Sequence, residues 1–255
     1  MNLSDTEFNE VTGILSGARI RYSGQGEYYV ALPQDLPDGV KLPLVIAVHG
    51  SGRGAMDYKN TPFYIEQKKI ALANGYIFAA ISNERDTWGT DDGLYNLNLF
   101  YDYLIANYPV SEKAALWATS AGGVLANRMV KEQPEKVSFV LGTFPVYDLL
   151  SGFELSSCRK AWETDDIATF KALVEGKNPA GFPEMLKAHD YYISHGSADT
   201  AVPIEENSLK MAKDVGDNVR LQVVDGGVHG TFDYAFYGDV ISRAFAEHPA
   251  VFAQA

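Results

Sequence analysis

The sequence predicts an α/β fold: a mostly parallel central sheet with helices on both faces and a small helical cap inserted after the middle of the chain. Three observations lead there. Short continuous apolar runs, such as residues 43–48, recur along the chain and fit strands buried on both faces. Stretches with apolar residues at helical spacing separate these runs. A length of 255 residues, 46% hydrophobic and 21% charged, suits one layered domain over residues 1–255 and excludes a disordered chain.

In chain order, residues 18–23 and 27–32 flank Gly24-Gln25-Gly26 and read as a hairpin with a glycine-containing loop. Residues 43–48 form the first buried strand, and a helix over 62–73 stops at Asn74-Gly75. A buried strand at 76–81 follows, then a helix at 94–107 whose apolar positions are Leu94, Leu97, Phe100, Tyr101, Leu104 and Ile105. Strand 114–119 leads into helix 121–133, stopped by Pro134, and strand 137–144 comes next. Strand 190–194, helix 205–214, strand 220–224 and helix 234–246 complete the alternation. Residues 147–187 break the rhythm: too long for a loop and too short for a domain, they read as a helical cap over one edge of the sheet.

Lys plus Arg is 21 and Asp plus Glu is 33, a formal charge of −12 with no basic stripe, which disfavours nucleic acid as a partner. The single cysteine, Cys158, permits no intrachain disulfide and reads as a packed side chain, so a reducing cytoplasm is the expected compartment. The first residues have neither a basic start nor an apolar stretch, so no signal peptide is expected. The longest apolar run, 137–146, is too short to span a bilayer, so no membrane partner is expected. Monomer and homodimer both remain open.

In a parallel sheet, ligands bind beyond the C-terminal ends of the strands, so the residues just after each apolar run carry the functional signal. Those segments are His49-Gly50-Ser51-Gly52, Thr119-Ser120-Ala121-Gly122-Gly123, His195-Gly196-Ser197-Ala198-Asp199 and Gly226-Gly227-Val228-His229-Gly230. A serine, an aspartate and a histidine thus stand at three strand ends in the order Ser120, Asp199, His229. Ser120 lies between strand and helix among small residues, as a nucleophile on a strained turn requires. Taken alone, it reads equally well as a helix cap. Asp199 is placed to orient a histidine, or else to bond its own turn. Asp148, after the preceding strand, is a second candidate for the acid. His229 is the candidate base, whereas His49 reads as a support for its glycine-rich turn and His195 as a shaper of the turn before Asp199. The amides of Ser51 and Ala121 are the candidate oxyanion donors. Neither phosphate-cradle spacing nor a metal-ligand pattern is present, so no cofactor and no metal are expected.

With these residues in place, the sequence resembles the α/β-hydrolase superfamily from about Leu15 to Phe245. The Ser-Ala-Gly-Gly elbow at 120–123 and the His195-Gly-x-x-Asp199-x-x-Val-Pro203 string resemble its esterase, polyester-depolymerase and prolyl-oligopeptidase-like branches. The elbow departs from the usual G-x-S-x-G in having Ala118 at the first small position. The resemblance implies a serine hydrolase that works through an acyl-enzyme, with Ser120 as nucleophile, His229 as base and Asp199 as orienting acid.

Gly50, Arg53, Trp88 and Tyr147 lie near strand ends and are expected to line the substrate pocket, with Arg53 or Arg85 available to a substrate carboxylate. A cap of modest size bearing aromatics suggests small to medium acyl esters, hence a small-molecule ester as substrate. A peptidase, a C–C bond hydrolase and a hydrolase-like binding protein are the alternatives. Against the peptidase, only 42 residues precede the first buried strand, too few for the large extra domain usual in the prolyl-oligopeptidase branch.

Overall fold

The computed structural model describes residues 7–34, 36, 39–230, 233–251 and 253–254. Strands β1 (Phe8–Ile14), β2 (Glu27–Pro33), β3 (Val40–Val48), β4 (Ile77–Ile81), β5 (Val110–Thr119), β6 (Val137–Thr143), β7 (Asp190–Gly196) and β8 (Val219–Val224) lie side by side in the order β1-β2-β4-β3-β5-β6-β7-β8. β2 is antiparallel to both of its neighbours, and the ladder from β4 to β8 is parallel throughout.

Alternation along β3 shows why the central runs are apolar without a break. Leu44, Ile46 and Val48 point into one core and Val45 and Ala47 into the other. The first core is closed by helices α3 (Asp91–Asn107), α4 (Gly122–Glu132) and α8 (Ser208–Val215), through residues such as Leu97, Leu125 and Met211. The second is closed by α2 (Pro62–Ala73), which follows the single turn α1 (Asp57–Asn60), and by α9 (Asp239–Glu247), through Phe63, Leu72, Ile241 and Phe245. Among the described residues no helix is long and apolar enough to cross a membrane.

The N-terminal hairpin differs from the sequence expectation. The partner of β2 is Phe8–Ile14, with Phe8 opposite Pro33 and Ile14 opposite Glu27, and residues 18–23 form no strand. Side chains have taken the ladder donors of that stretch: Arg19 N–H donates to Asn96 Oδ1 at 2.7 Å, and the amides of Arg21 and Tyr22 both donate to Gln25 Oε1. At the other end, β9 (Ala253–Gln254) pairs antiparallel with Val40 and Lys41, a strand too short to leave a periodic signal. The expected helix over 234–246 is a 3₁₀ turn, Tyr234–Tyr237, followed by α9.

Residues 147–187 are helical, as expected, with α5 (Ser156–Ala161), α6 (Ile167–Leu173) and α7 (Pro183–Leu186) joined by 3₁₀ turns. The first two of these helices do not lie over a sheet edge. Cys158, Trp162 and Phe170 pack with Trp88, Ala121 and Val124, so the insertion sits on the turn after β4 and on the start of α4, near the middle of the sheet. Trp88 and Val124 supply the apolar platform. Burial pushes the Cys158 thiol up, which leaves it protonated and inert.

Candidate active site

β5 ends at Thr119, α4 begins at Gly122, and Ser120 lies between them with φ +53°. A left-handed conformation at a residue with a Cβ costs of order 1–3 kcal/mol and persists only where its surroundings enforce it. Here Ser120 N–H donates to Thr143 O (3.1 Å), while Ser120 O accepts from the amides of Gly123 and Val146 (2.9 Å each). The first turn of α4 lies directly against the end of β3, and a Cβ on Gly122 would collide with Val48 O. Ala118, the departure from the usual elbow pattern, is buried without strain being evident. The helix-cap reading of Ser120 does not hold, since no side chain caps α4.

The Ser120 hydroxyl instead faces His229, with Oγ 3.0 Å from Nε2. On the far side of the ring, Nδ1 is 2.7 Å from Asp199 Oδ2. An ionised carboxylate only accepts, so Nδ1 carries the proton and Nε2 presents its lone pair to the serine. The Phe144 ring, 4.5 Å from the imidazole between centroids, supports it from one side. Asp199 is 5% exposed. Burial alone would raise its pKa, but hydrogen bonds from His195 and His229, the imidazole charge and the Val202 amide outweigh burial and hold it well below the usual carboxylate range. Its second oxygen, Oδ1, accepts from the amides of Ala201 and Val202 at 3.0 and 2.8 Å.

Asp148 is elsewhere. One of its oxygens pairs with Lys210 at 2.5 Å and the other accepts from Leu150 N–H and Asn178 Nδ2, tying the insertion to α8. His195 is fully buried, bridges Ser208 Oγ and Val202 O, and lies 3.4 Å from Asp199 Oδ2, so it backs the carboxylate as well as shaping the turn.

His49, also fully buried, accepts from Asn83 N–H at Nε2 (2.9 Å) and donates from Nδ1 to Gly50 O (2.7 Å). Burial lowers its pKa to about 4, so it is neutral and ties the glycine-rich loop to the turn after β4. In that loop Ser51 N–H has no hydrogen-bond acceptor among the described residues, and neither has Ala121 N–H across from it. Two unengaged amides beside a serine on a helix start are the arrangement that stabilises a developing oxyanion.

These groups open on a cavity of about 250 Å³. Gly50, Ser51, Arg53, Tyr64, Ser120, Phe144, His229 and Gly230 line it. Of the four expected lining residues, Gly50 and Arg53 are there. Trp88 and Tyr147 are not: Trp88 is buried under the insertion, and Tyr147 is fully buried with its hydroxyl on Asp214. Both stand near strand ends, but their side chains turn into the core to fill space beneath helices. Arg85 pairs with Glu84 and lies over the Tyr22 ring, away from the cavity. Sequence reasoning passed over Tyr64 and Phe144. Phe144 directly follows β6, so the strand-end rule would have found it; Tyr64 comes from the first turn of α2 and leaves no such signal.

The sequence profile described as the prolyl oligopeptidase family matches residues 85–245. No match was found among curated protein sequences. Among solved structures, a Mycobacterium tuberculosis puromycin-hydrolyzing peptidase is 16% identical, with 92% of this chain and 37% of that chain covered and a TM-score of 0.67. The Pyrococcus furiosus esterase Pf2001 is 18% identical, with 97% and 94% covered and a TM-score of 0.67. S-formylglutathione hydrolase from Staphylococcus aureus is 17% identical, with 95% and 96% covered and a TM-score of 0.63. The chain therefore spans little more than a third of the peptidase and nearly all of the two smaller enzymes, and at these identities the likeness is one of fold: the α/β-hydrolase fold.

Proposed function

The chain belongs to the prolyl oligopeptidase family and is a serine hydrolase of the α/β-hydrolase type, and from that premise we propose that it cleaves carboxylic esters of small to medium acyl groups, with Ser120, His229 and Asp199 as its catalytic triad. The observation that carries this reading is the hydrogen-bonded line from Ser120 Oγ through His229 to Asp199, whose first two members line a cavity beside two unengaged amides.

In this reading His229 Nε2 takes the Ser120 proton as Oγ attacks the ester carbonyl. The carbonyl oxygen becomes an oxyanion held by the amides of Ser51 and Ala121. The imidazolium, stabilised by Asp199, then gives its proton to the leaving alcohol, and an acyl-enzyme remains. Water enters, loses a proton to His229, attacks the acyl carbon, and the acid leaves as Ser120 regains its hydrogen.

Family membership also supports peptide bonds as substrates. Two features favour esters. At 250 Å³ the cavity falls below the range usual for drug-sized ligands, which suits a short acyl group. The charged side chain on its wall is the Arg53 guanidinium, which repels the free ammonium of a peptide N-terminus. The test is hydrolysis of p-nitrophenyl acetate, butyrate, octanoate and palmitate by the native protein and by Ser120→Ala. The expected result is Ser120-dependent turnover that is fastest on the short esters and falls by roughly six orders of magnitude in the variant. Activity surviving in Ser120→Ala, or a preference for palmitate, would overturn it.

A further inference from the structure

Arg53 is the charged residue in the cavity wall, and its surroundings leave most of it unengaged. Among the described residues its one ion pair is to Asp57, from a single nitrogen at 3.3 Å. That carboxylate is already occupied: Oδ2 accepts from Gly54 N–H at 2.9 Å and Oδ1 from the Thr61 hydroxyl at 2.7 Å. A guanidinium has five N–H donors in a rigid fork, so four here have no acceptor among the described residues. The fork lies 5.9 Å from the centroid of the buried Tyr64 ring, a contact that holds it over the cavity.

We propose that the site selects esters carrying a carboxylate a few bonds from the scissile carbonyl, with the carboxylate on the Arg53 fork. The inference rests on the ester-hydrolase reading and adds the substrate's charge to it. Bidentate pairing of a guanidinium with a planar carboxylate gives geometry as well as attraction, which a lysine in this place would not. The overall charge of −12 works against anions at long range, but beyond about 8 Å exposed charges are largely screened at physiological salt. Within the cavity, the Arg53 guanidinium is held by Asp57 through one nitrogen only, and its other donors are left for an anion.

Monomethyl succinate carries the carboxylate on the acyl side and O-acetylglycolate on the alcohol side; methyl butyrate and propyl acetate are their uncharged counterparts. Proton release at neutral pH gives kcat/KM for all four with the native protein, Arg53→Gln and Arg53→Lys. The expected result is a preference of about tenfold or more for one anionic ester over its counterpart, lost in Arg53→Gln and only partly kept in Arg53→Lys. Which of the two esters shows it tells on which side the carboxylate lies. Equal rates within each pair for the native protein, with turnover still dependent on Ser120, would overturn the charge selection and leave the esterase reading standing. Calorimetric titration of both anionic esters into Ser120→Ala and Ser120→Ala/Arg53→Gln reads recognition without turnover. Binding that weakens about tenfold in the double variant supports the proposal even if no ester is hydrolysed, and no binding, or equal binding, overturns it.

Discussion

Gly196 and Gly227 meet back to back: a Cβ on Gly196 would collide with Gly227 O, and one on Gly227 would lie 3.0 Å from Gly196 Cα. The contact is sealed by Ala198 N–H donating to Gly227 O at 2.9 Å. It joins the loop that carries Asp199 to the loop that carries His229, and so sets the 2.7 Å approach of carboxylate and imidazole. Gly196→Ala is expected to lower stability by about 1–3 kcal/mol and turnover by about a hundredfold, because the two loops must part. Thermal unfolding and ester hydrolysis below the transition check it; full activity in a stable variant would show that the contact is not what sets the pair.

Asp199→Asn is expected to leave the fold intact and reduce turnover about 10⁴-fold, since an amide no longer selects the Nδ1–H tautomer of His229. Asp148→Asn keeps one oxygen for Leu150 N–H and Asn178 Nδ2 and loses the pairing with the partly exposed Lys210, so it should cost about 1 kcal/mol, with little change in rate. The reverse ranking in a steady-state assay would transfer the acid role to Asp148.

Trp88→Ala is expected to cost about 3–5 kcal/mol by opening a cavity beneath the insertion. Since its ring does not line the substrate cavity, kcat/KM on short esters in the folded variant should stay within a few-fold of native. A large rise in KM with unchanged stability would return Trp88 to the binding site.

His49 predicts an acid limb in the stability profile. Its pKa is near 4 when folded and 6.5 when unfolded, so the folded state binds fewer protons between those values. The stabilisation is complete above pH 6.5, declines as pH falls and is gone below about 4, with a total of roughly 3 kcal/mol. Glu10 and Asp199 also lose stabilisation in acid, but chiefly at lower pH, through carboxylates with depressed pKa values. His248 shifts in the same direction as His49, so the comparison is with a variant. Urea midpoints across this window should fall less steeply in His49→Gln than in the native protein, and parallel curves would refute the assignment.

Much of the fold was legible because burial on both faces leaves a clear pattern: β3 to β7 each hold a run of buried apolar residues, such as 44–48 and 114–118, and the residues after them are where a parallel sheet builds sites. The hairpin was misplaced because Arg19, Arg21 and Tyr22 alternate like a strand, while their amides are taken by Asn96 and Gln25. Whether a side chain fills a core or faces a cavity cannot be read from its neighbours in sequence, which is why Trp88 and Tyr147 were placed in the pocket and Tyr64 was not.

The sequence by itself determined the α/β alternation, the small-residue turns and the order Ser120, Asp199, His229, because each follows from local periodicity and turn chemistry. Tertiary structure alone decided which aspartate touches the histidine, which amides stay unengaged and which arginine faces the cavity. Those outcomes depend on hydrogen-bond partners far apart in the chain, such as Ser120 and His229, whose encounter is set by the packing of the whole sheet.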